Sequence, residues 1–191
     1  MLVKLAVLFS GNGSNLQNIL EKLHKKTIGK NTYEVVLCLC NKKDAYGIQR
    51  AKNFDLESVI IEHKDYKNRE EFDEILVKKI KESGADLTIL AGFMRILSPV
   101  FTKNIKAINL HPSLLPLFKG AHAIKESYES DMKVAGVSVH WVNEELDGGK
   151  IIAQKAFEKQ NLTFEEFEAK IHGLEHEILP LSVVEIFENC H

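Results

Sequence analysis

Apolar runs of strand length alternate with stretches of helical periodicity along residues 2–110 of the chain. The run Leu2–Phe9 is apolar apart from one lysine, which predicts a strand that is buried on both faces. Residues 68–83 carry apolar side chains at helical spacing and stop at Gly84, which predicts an amphipathic helix. Because strands and helices alternate at this pitch, we predict an α/β fold with a mostly parallel sheet flanked by helices. The same patterns predict strands over 33–40, 56–61, 86–91 and 107–110 and helices over 14–25 and 45–54.

The pattern changes after residue 133, where two strand-like segments follow each other without a helix between them. Residues 134–142 and 150–157 flank a turn, which predicts an antiparallel hairpin added to the parallel sheet. Thr163 and Glu166 have the spacing of a capping box, so a final helix is predicted to begin there. Pro180 is expected to kink this helix or to end its first part, because proline lacks a backbone N–H. We find no linker and no repeat, and therefore predict a single domain.

Composition excludes several classes of protein. With 191 residues and a net charge of −2, the chain can bury a sizeable core but lacks the basic surface typical of nucleic-acid binding. Its three cysteines, Cys38, Cys40 and Cys190, lack the number and spacing of a disulfide framework. Cys38 and Cys40 lie two apart in a predicted strand, and we expect a buried pair of free thiols there. No segment has the layout of a signal peptide or a membrane span, so we expect a reduced cytoplasmic protein with no membrane or nucleic-acid partner.

Residues 10–15, Ser-Gly-Asn-Gly-Ser-Asn, connect the first predicted strand to the first predicted helix. Glycines allow a tight turn and a close approach of the backbone to a ligand, and the helix N-terminus offers free N–H groups to an anion. A dinucleotide loop is disfavoured, because Leu16 stands where the third glycine belongs and no acidic residue for a ribose ends the second strand. A single phosphate monoester fits this loop better, and an ordinary glycine turn without a ligand stays open.

Residues 109–116, Asn-Leu-His-Pro-Ser-Leu-Leu-Pro, begin at the end of the fifth predicted strand, the edge where open α/β sheets bind their ligands. Asn109 and His111 are two apart, so an extended backbone directs both side chains to the same side. The pair combines a neutral hydrogen-bond donor with a proton carrier, which is typical of a catalytic site. The alternative is that His111 is structural, which is the more frequent role of a histidine without polar neighbours.

The predicted hairpin turn contains Asp147 followed by two glycines. This sequence suits a tight turn that needs no further function. A carboxylate in such a turn can also orient a neighbouring imidazole and stabilise its charged form. A zinc site is not expected, because His111, His122 and His140 lack the spacing of metal ligands and no cysteine joins them.

The chain resembles the phosphoribosylglycinamide formyltransferase family in four segments, namely 10–17, 91–98, 109–116 and 145–149. The resemblance implies a Rossmann-like formyltransferase fold in one domain over 1–191, with a phosphate-binding half at 1–100 and a catalytic and folate-loop half at 101–191. It also implies the family's reaction, in which 10-formyltetrahydrofolate gives its formyl group to the primary amine of 5′-phosphoribosylglycinamide in de novo purine biosynthesis. The glycine-rich loop is the segment that separates this family from other enzymes that use the same formyl donor.

The resemblance further implies roles for individual residues. Asn109 and His111 would donate hydrogen bonds to the formyl oxygen, where negative charge develops, while Asp147 orients the imidazole. These three residues would be the catalytic set. The residues implied for phosphoribosylglycinamide binding are Gly13, Ser14, Asn15, His172, Gly173, Leu174 and Glu175. The residues implied for folate binding are Arg69, Met94, Arg95, Ile96, Leu97, Asn109, Asn143, Glu144, Glu145, Leu146 and Asp147.

The family chemistry implies small-molecule substrates, no metal, and a monomer or homodimer in the cytoplasm. The chain departs from the family at Lys119, where a proline is usual, a change that bears on the local loop geometry and not on the chemistry. Two other functions stay open. One is a different formyltransferase or a formyltetrahydrofolate hydrolase, and the other is a non-catalytic sensor of folate or phosphoribosyl compounds.

Overall fold

A central β-sheet forms the middle layer of the computed structural model, which describes residues 1–188. Within those residues the sheet has eight strands: β1 (Leu2–Phe9), β2 (Lys26–Ile28), β3 (Asn31–Cys40), β4 (Ser58–Ile60), β5 (Leu87–Leu90), β6 (Ala107–His111), β7 (Val134–Trp141) and β8 (Ile151–Glu158). Their order is β2-β3-β1-β5-β6-β7-β8, with β4 paired to β3. Four pairs, β1/β3, β1/β5, β3/β4 and β5/β6, are parallel, whereas β2/β3, β6/β7 and β7/β8 are antiparallel. The predicted mostly parallel sheet with an antiparallel C-terminal hairpin is therefore confirmed.

Helices cover both faces of the sheet. They are α1 (Ser14–Lys22), α2 (Gly47–Lys52), α3 (Arg69–Ser83), α4 (Pro99–Thr102), α5 (Ala123–Glu129) and α6 (Phe164–Glu188), with a 3-10 turn at His63–Asp65. Val7 of β1 lies in a core that contains side chains of α1 and α6, whereas Leu8 lies in a second core with Phe72 of α3. Successive side chains of one strand thus fill the cores on opposite faces, which confirms that β1 is buried on both sides.

The sequence patterns miss three short elements and overestimate the length of others. Strand β2 has three residues and helix α4 has four, lengths at which periodicity carries little information. Helix α5 was also not recognised by its pattern. Helix α1 ends at Lys22 and not at residue 25, because Leu23 leaves the helical region and Lys25 adopts a positive φ of 57°. Helix α2 and strand β4 are shorter than predicted at both ends.

Helix α6 runs through Pro180 to Glu188, so of the two outcomes expected at Pro180, a kink or an end, the end is wrong. Proline has no N–H to donate to the carbonyl four residues earlier, which here is the carbonyl of His176. The Nδ2 of Asn18, a buried residue of α1, donates to that carbonyl over 2.7 Å. Asn18 therefore replaces the hydrogen bond that proline cannot make, and the packing of α1 against α6 stabilises an unbroken helix.

Cys38 and Cys40 are buried free thiols, as predicted, and burial raises the pKa of Cys38 to about 12. Cys190 lies outside the described residues. Along residues 1–188, no helix combines the length and the apolar character needed to cross a membrane.

The sheet order places the carboxyl ends of β1, β5 and β6 side by side. From β1 the chain first adds β3 on one side, and later adds β5 on the other side, so a topological switch point lies between β1 and β5. Open α/β sheets bind ligands in the crevice at such a point. The next strand in the sheet is β6, which carries Asn109 and His111 at its carboxyl end.

Candidate active site

A cleft of about 600 Å³ opens at the carboxyl ends of β5 and β6, a volume that suits a drug-sized ligand. Its wall is built from segments that are distant in sequence: the start of α3, the segment after β5, the end of β6 and the turn between β7 and β8. The structure brings together in this wall every residue that the family resemblance implies for folate binding, namely Arg69, Met94, Arg95, Ile96, Leu97, Asn109, Asn143, Glu144, Glu145, Leu146 and Asp147.

Asp147 lies at the centre of a polar cluster in the cleft. Its Oδ1 accepts a hydrogen bond from Nδ2 of Asn109 over 3.3 Å, and its Oδ2 accepts the N–H of Gly120 over 2.8 Å. The same Oδ2 lies 3.4 Å from Nδ1 of His111. The three residues implied for catalysis therefore meet, although two lie on β6 and one in the β7–β8 turn.

The surroundings of Asp147 favour its ionised form. Burial raises the pKa of this carboxyl, but the contact with His140, the hydrogen bond from Gly120 and the charge of His111 outweigh burial, so that the pKa lies below its usual value. Asp147 also adopts a positive φ of 49°, a conformation that Asp and Asn tolerate in turns. A turn role explains this backbone conformation, but it leaves the contacts with Asn109 and His111 unexplained.

Both ring nitrogens of His111 face groups that accept hydrogen bonds. Its Nε2 lies 2.8 Å from the carbonyl oxygen of Phe118, which accepts only, so this nitrogen carries a hydrogen. Its Nδ1 faces the ionised carboxylate of Asp147. Each ring nitrogen of His111 therefore has an acceptor oxygen beside it, which fixes the orientation of the ring. His111 is 4% exposed, so bulk water does not compete strongly for these contacts.

His140 is the fourth member of the cluster, a residue to which the sequence interpretation assigns no catalytic or binding role. Its Nε2 lies 3.1 Å from Nδ2 of Asn109 and 3.7 Å from Oδ1 of Asp147. Its Nδ1 lies 2.9 Å from the carbonyl oxygen of Trp141, so Nδ1 donates there and leaves Nε2 to accept from Asn109. His140 therefore fixes the direction of the Asn109 amide.

The glycine-rich loop ends at Gly13, which precedes α1 with a left-handed φ of 75°. A Cβ atom added to Gly13 would lie 2.5 Å from the Cα of Gly47, at the start of α2. Both the backbone conformation and the close approach of α2 therefore require glycine here. The N–H groups of the first turn of α1, which starts with Ser14 and Asn15, lie next to this loop, as an anion site needs.

Arg50 of α2 holds the loop from outside, a contact that the sequence interpretation missed. Its Nε donates to the carbonyl oxygen of Asn12 and one terminal nitrogen donates to Oδ1 of Asn12, each over 2.8 Å. Its other terminal nitrogen donates to Oε1 of Gln17 in α1. An arginine four residues into a short helix has no distinctive sequence signal, because its partners are defined only once α2 packs against the loop.

The loop and α6 meet through Asn15 and Glu175, both implied for phosphoribosylglycinamide binding. Nδ2 of Asn15 donates to Oε2 of Glu175 over 3.3 Å, and Oδ1 of Asn15 is buried without a hydrogen-bond partner in the described part of the chain. Oε2 of Glu175 also lies 2.8 Å from Nδ1 of His172, and this hydrogen bond raises the pKa of His172 above its usual value. Gly173 lies beside these residues on α6, whereas Leu174 is partly buried against the core, where an apolar side chain is expected without any ligand.

The loop after β6 closes one side of the cluster despite Lys119. Phe118 and Gly120, on either side of this lysine, supply the carbonyl that contacts His111 and the N–H that contacts Asp147. Lys119 itself forms an ion pair with Glu145, with Nζ 2.6 Å from Oε1. Among residues 1–188, no group of three His, Cys, Asp or Glu side chains has the geometry to hold a metal ion.

A mostly parallel sheet covered by helices, with an Asn-His-Asp cluster in a cleft at the carboxyl ends of its strands, is typical of one class of protein, namely α/β enzymes that bind small molecules at that edge. Comparison with known proteins gives the family. The model of the formyl transferase family matches residues 3–183, and the chain belongs to that family.

Individual relatives show how similar this chain is to particular members of the family. The phosphoribosylglycinamide formyltransferase of Bacillus subtilis is 38% identical over 180 residues, which cover 93% of this chain and 91% of the relative. The crystal structure of phosphoribosylglycinamide formyltransferase from Campylobacter jejuni is 88% identical, with a TM-score of 0.97 and coverage of 98% of both chains. The corresponding structure from Streptococcus pneumoniae is 33% identical, with a TM-score of 0.88 and coverage of 97% of this chain and 99% of that one. The family resemblance predicted from the four sequence segments is thus confirmed.

Proposed function

We propose that this protein transfers a formyl group from 10-formyltetrahydrofolate to the primary amine of 5′-phosphoribosylglycinamide. The products are the N-formyl derivative and tetrahydrofolate, in the pathway of de novo purine (IMP) biosynthesis. The observation that carries the proposal is the position of Asp147 in contact with both Asn109 and His111 on the wall of the cleft. The names of the relatives agree with the transfer of a formyl group to phosphoribosylglycinamide.

In the proposed reaction, Asn109 and His111 donate hydrogen bonds to the formyl oxygen, where negative charge develops as the amine attacks. Nδ2 of Asn109 lies within hydrogen-bond distance of His140 and of Asp147. A bound formyl oxygen must therefore take over one of these two hydrogen bonds. It must also displace one partner of the His111 ring, either the carbonyl of Phe118 or the carboxylate of Asp147. His111 moves a proton between the attacking amine and the departing nitrogen, and Asp147 keeps its ring in place.

The formyl donor is proposed to occupy the cleft. Met94, Ile96 and Leu146 leave 66%, 55% and 48% of their surface exposed, an unusual fraction for large apolar side chains. All three line the cleft, and they offer apolar contact to a flat heterocycle. Arg69, at the start of α3, adds a positive charge to the same wall, where it can meet the carboxylates of a folate.

The phosphoribosyl substrate is proposed to bind the glycine-rich loop. The N-terminus of α1 offers N–H groups and the positive end of a helix dipole to the phosphate. The raised pKa of His172 keeps a positive charge near Asn15 and Glu175 up to a higher pH than an isolated histidine would. We also propose that the protein works in the cytoplasm as a monomer or a homodimer, without a metal and without a nucleic-acid or membrane partner.

The experiment is a spectrophotometric assay of tetrahydrofolate release from 10-formyltetrahydrofolate, with and without phosphoribosylglycinamide. Release that requires the amine supports the proposal. Release without the amine would identify a hydrolase, and donor binding without release would identify a sensor. Glycinamide without the phosphoribosyl group is the matched control, because it presents the same amine but cannot use the glycine-rich loop. We expect it to be at least about 100-fold poorer as an acceptor, since it loses the contacts of the phosphate.

A further inference from the structure

The segment 91–98 forms one wall of the cleft between β5 and α4 and is neither helix nor strand. Met94 and Ile96 point largely into open space, with 66% and 55% of their surface exposed. Their side chains therefore do not anchor the backbone that carries them. Phe93 is buried and its ring stacks on Phe72 with centroids 6.5 Å apart, which fixes one point of the wall. Leu97 packs against the second core, and hydrogen bonds hold the backbone at the two ends of the segment.

Ser10 holds the first end of the wall. Its Oγ accepts the N–H of Met94 over 2.8 Å and donates its hydrogen to Oδ1 of Asn41 over 2.6 Å. Because a hydroxyl has one hydrogen, the bond to Asn41 leaves the lone pairs of Ser10 for Met94. The backbone N–H of Ser10 also donates to the carbonyl of Gly92 over 3.1 Å. Ser10 and Asn41 are only 2% and 1% exposed, so water cannot readily replace these bonds.

Asp73 holds the second end of the wall. Its Oδ2 accepts the backbone N–H of Ser98 over 2.5 Å, and both residues are fully buried. Ser98 directly follows Leu97 and is the N-cap of α4, so this bond fixes the point where the wall meets the helix. Asp73 lies on α3, whose core packing makes it a rigid support. Neither Ser10 nor Asp73 lies among the residues that line the cleft in the described chain.

We propose that Ser10 and Asp73 are positioning residues for the formyl-donor site: they fix residues 94–97 at both ends and thereby set the affinity for the folate without touching it. The inference rests on the proposed function, because it takes the cleft as the donor site. Ser10 also begins the glycine-rich loop, but its hydroxyl contacts Met94 and Asn41 and not the residues implied for phosphate binding, so its loss should act on the donor site.

The test compares Ser10→Ala with Ser182→Ala. Ser182 is a matched control, because it is also buried and its hydroxyl donates to the carbonyl of Ile178 over 2.8 Å, in a part of α6 outside the cleft. Two quantities are measured for each protein: the KM for each substrate, and the dissociation constant of tetrahydrofolate from quenching of Trp141, the single tryptophan of the chain. Trp141 is a suitable reporter because its neighbours His140 and Val142 line the cleft.

Ser10→Ala is expected to raise the KM of the formyl donor and the dissociation constant of tetrahydrofolate about fivefold to tenfold, the effect of one lost buried hydrogen bond. The KM of phosphoribosylglycinamide should stay within about twofold of wild type, as should every constant of Ser182→Ala. Asp73→Ala should act in the same direction as Ser10→Ala. Asp73→Asn should restore the donor constants, because an amide oxygen still accepts the N–H of Ser98.

Two results would overturn the inference while leaving the proposed function intact. In the first, the wild-type enzyme transfers formyl groups, but Ser10→Ala changes neither the KM of the formyl donor nor the dissociation constant of tetrahydrofolate. The other is a Ser10→Ala variant in which the KM values of both substrates rise equally, which would indicate a general loss of structure. If the wild-type protein instead binds tetrahydrofolate but does not transfer the formyl group, the proposed function fails, and the quenching titrations alone still decide the role of Ser10.

Discussion

Replacing Asp147 by Asn removes one negative charge from the cleft and keeps the size of the side chain. Asn tolerates the left-handed backbone that Asp147 adopts, at φ 49°, so the turn itself should survive. The amide oxygen can still accept the N–H of Gly120, the bond that Oδ2 now makes over 2.8 Å. An amide has only one oxygen, so it cannot accept hydrogen bonds from both Asn109 and Gly120 as the carboxylate does. It also has no negative charge to attract His111. The substitution therefore separates a turn residue from a catalytic carboxylate.

The structure sets the magnitude of the expected effect. Opposite unit charges separated by 3.4 Å, the distance from Nδ1 of His111 to Oδ2 of Asp147, attract each other by about 5 kcal/mol at an effective dielectric constant of about 20. Losing half of this attraction in the transition state would lower turnover about 60-fold, and losing all of it would lower turnover about 4,000-fold. Even the lower figure is far outside the error of a kinetic assay.

The assay is tetrahydrofolate release at neutral pH, with thermal unfolding measured on the same samples. Asp86→Asn is the matched control, because Oδ2 of Asp86 also accepts a backbone N–H, that of Lys4 over 2.8 Å, in an exposed position outside the cleft. We expect normal turnover in the control and an unfolding midpoint of Asp147→Asn close to that of wild type. Turnover of Asp147→Asn within about twofold of wild type would refute the reasoning and reduce Asp147 to a turn residue.

The lowered pKa of Asp147 also predicts a pH dependence of stability with a definite sign. The folded protein holds this carboxyl ionised to a lower pH than the unfolded chain, whose reference value is 3.8. The group therefore stabilises the fold above that value, and this contribution is lost as the pH falls through the folded pKa. Relative to Asp147→Asn, wild type should therefore lose unfolding free energy as the pH falls below about 5. A difference in unfolding free energy that stays constant from about pH 5 to about pH 2 would contradict this.

Three further substitutions test the rest of the site. Asn109→Ala should lower turnover by about 100-fold to 1,000-fold with little change in the unfolding midpoint, as expected for a lost oxyanion donor, and near-normal turnover would remove that role. Gly13→Val should raise the KM of phosphoribosylglycinamide and leave that of the formyl donor nearly unchanged, because its side chain would strike Gly47 and its φ of 75° is unfavourable for valine; equal rises in both would count against the phosphate loop. Glu175→Gln should lower the pKa of His172 towards 6.5 in an NMR titration, and an unchanged titration would contradict the role of Glu175. In wild type the charge of His172 is present at low pH and lost as the pH rises through its raised pKa, so phosphoribosylglycinamide should bind more weakly over that range.

Most of the sheet could be predicted because its strands are apolar enough to be recognised without knowledge of their neighbours. The run Leu2–Phe9 needs two cores, one on each face, and only a helix-covered sheet provides them. The continuity of α6 could not be predicted, because proline alone argues for a break. The compensating group is Asn18, which is 158 residues away from His176 in sequence and approaches only when α1 packs against α6.

The candidate site also contains residues that could be predicted from the sequence and residues that could not. Asn109, His111 and Asp147 lie at a strand end and in a turn, where polar residues indicate a candidate site already in the sequence. Arg50, Ser10 and Asp73 each contact a backbone atom of a loop that is distant in sequence. Such contacts leave no periodicity or spacing in the sequence, so they can be found only in the folded structure.

The contact of His140 with Asn109 could have been predicted if the strand that pairs with β7 had been known. The sequence predicts the β7–β8 hairpin but not the strand that it joins, and the structure pairs β7 with β6 in antiparallel register, with His140 opposite Asn109 and Ser138 opposite His111. Residues directly opposite each other on antiparallel strands project from the same face of the sheet. Once that partner strand is known, the two polar residues of β7, which lie two apart on an otherwise apolar buried strand, must share the face of Asn109 and His111. The contact of His140 with the Asn109 amide then follows from the register, and the hairpin contributes to the site through β7 as well as through the turn that carries Asp147.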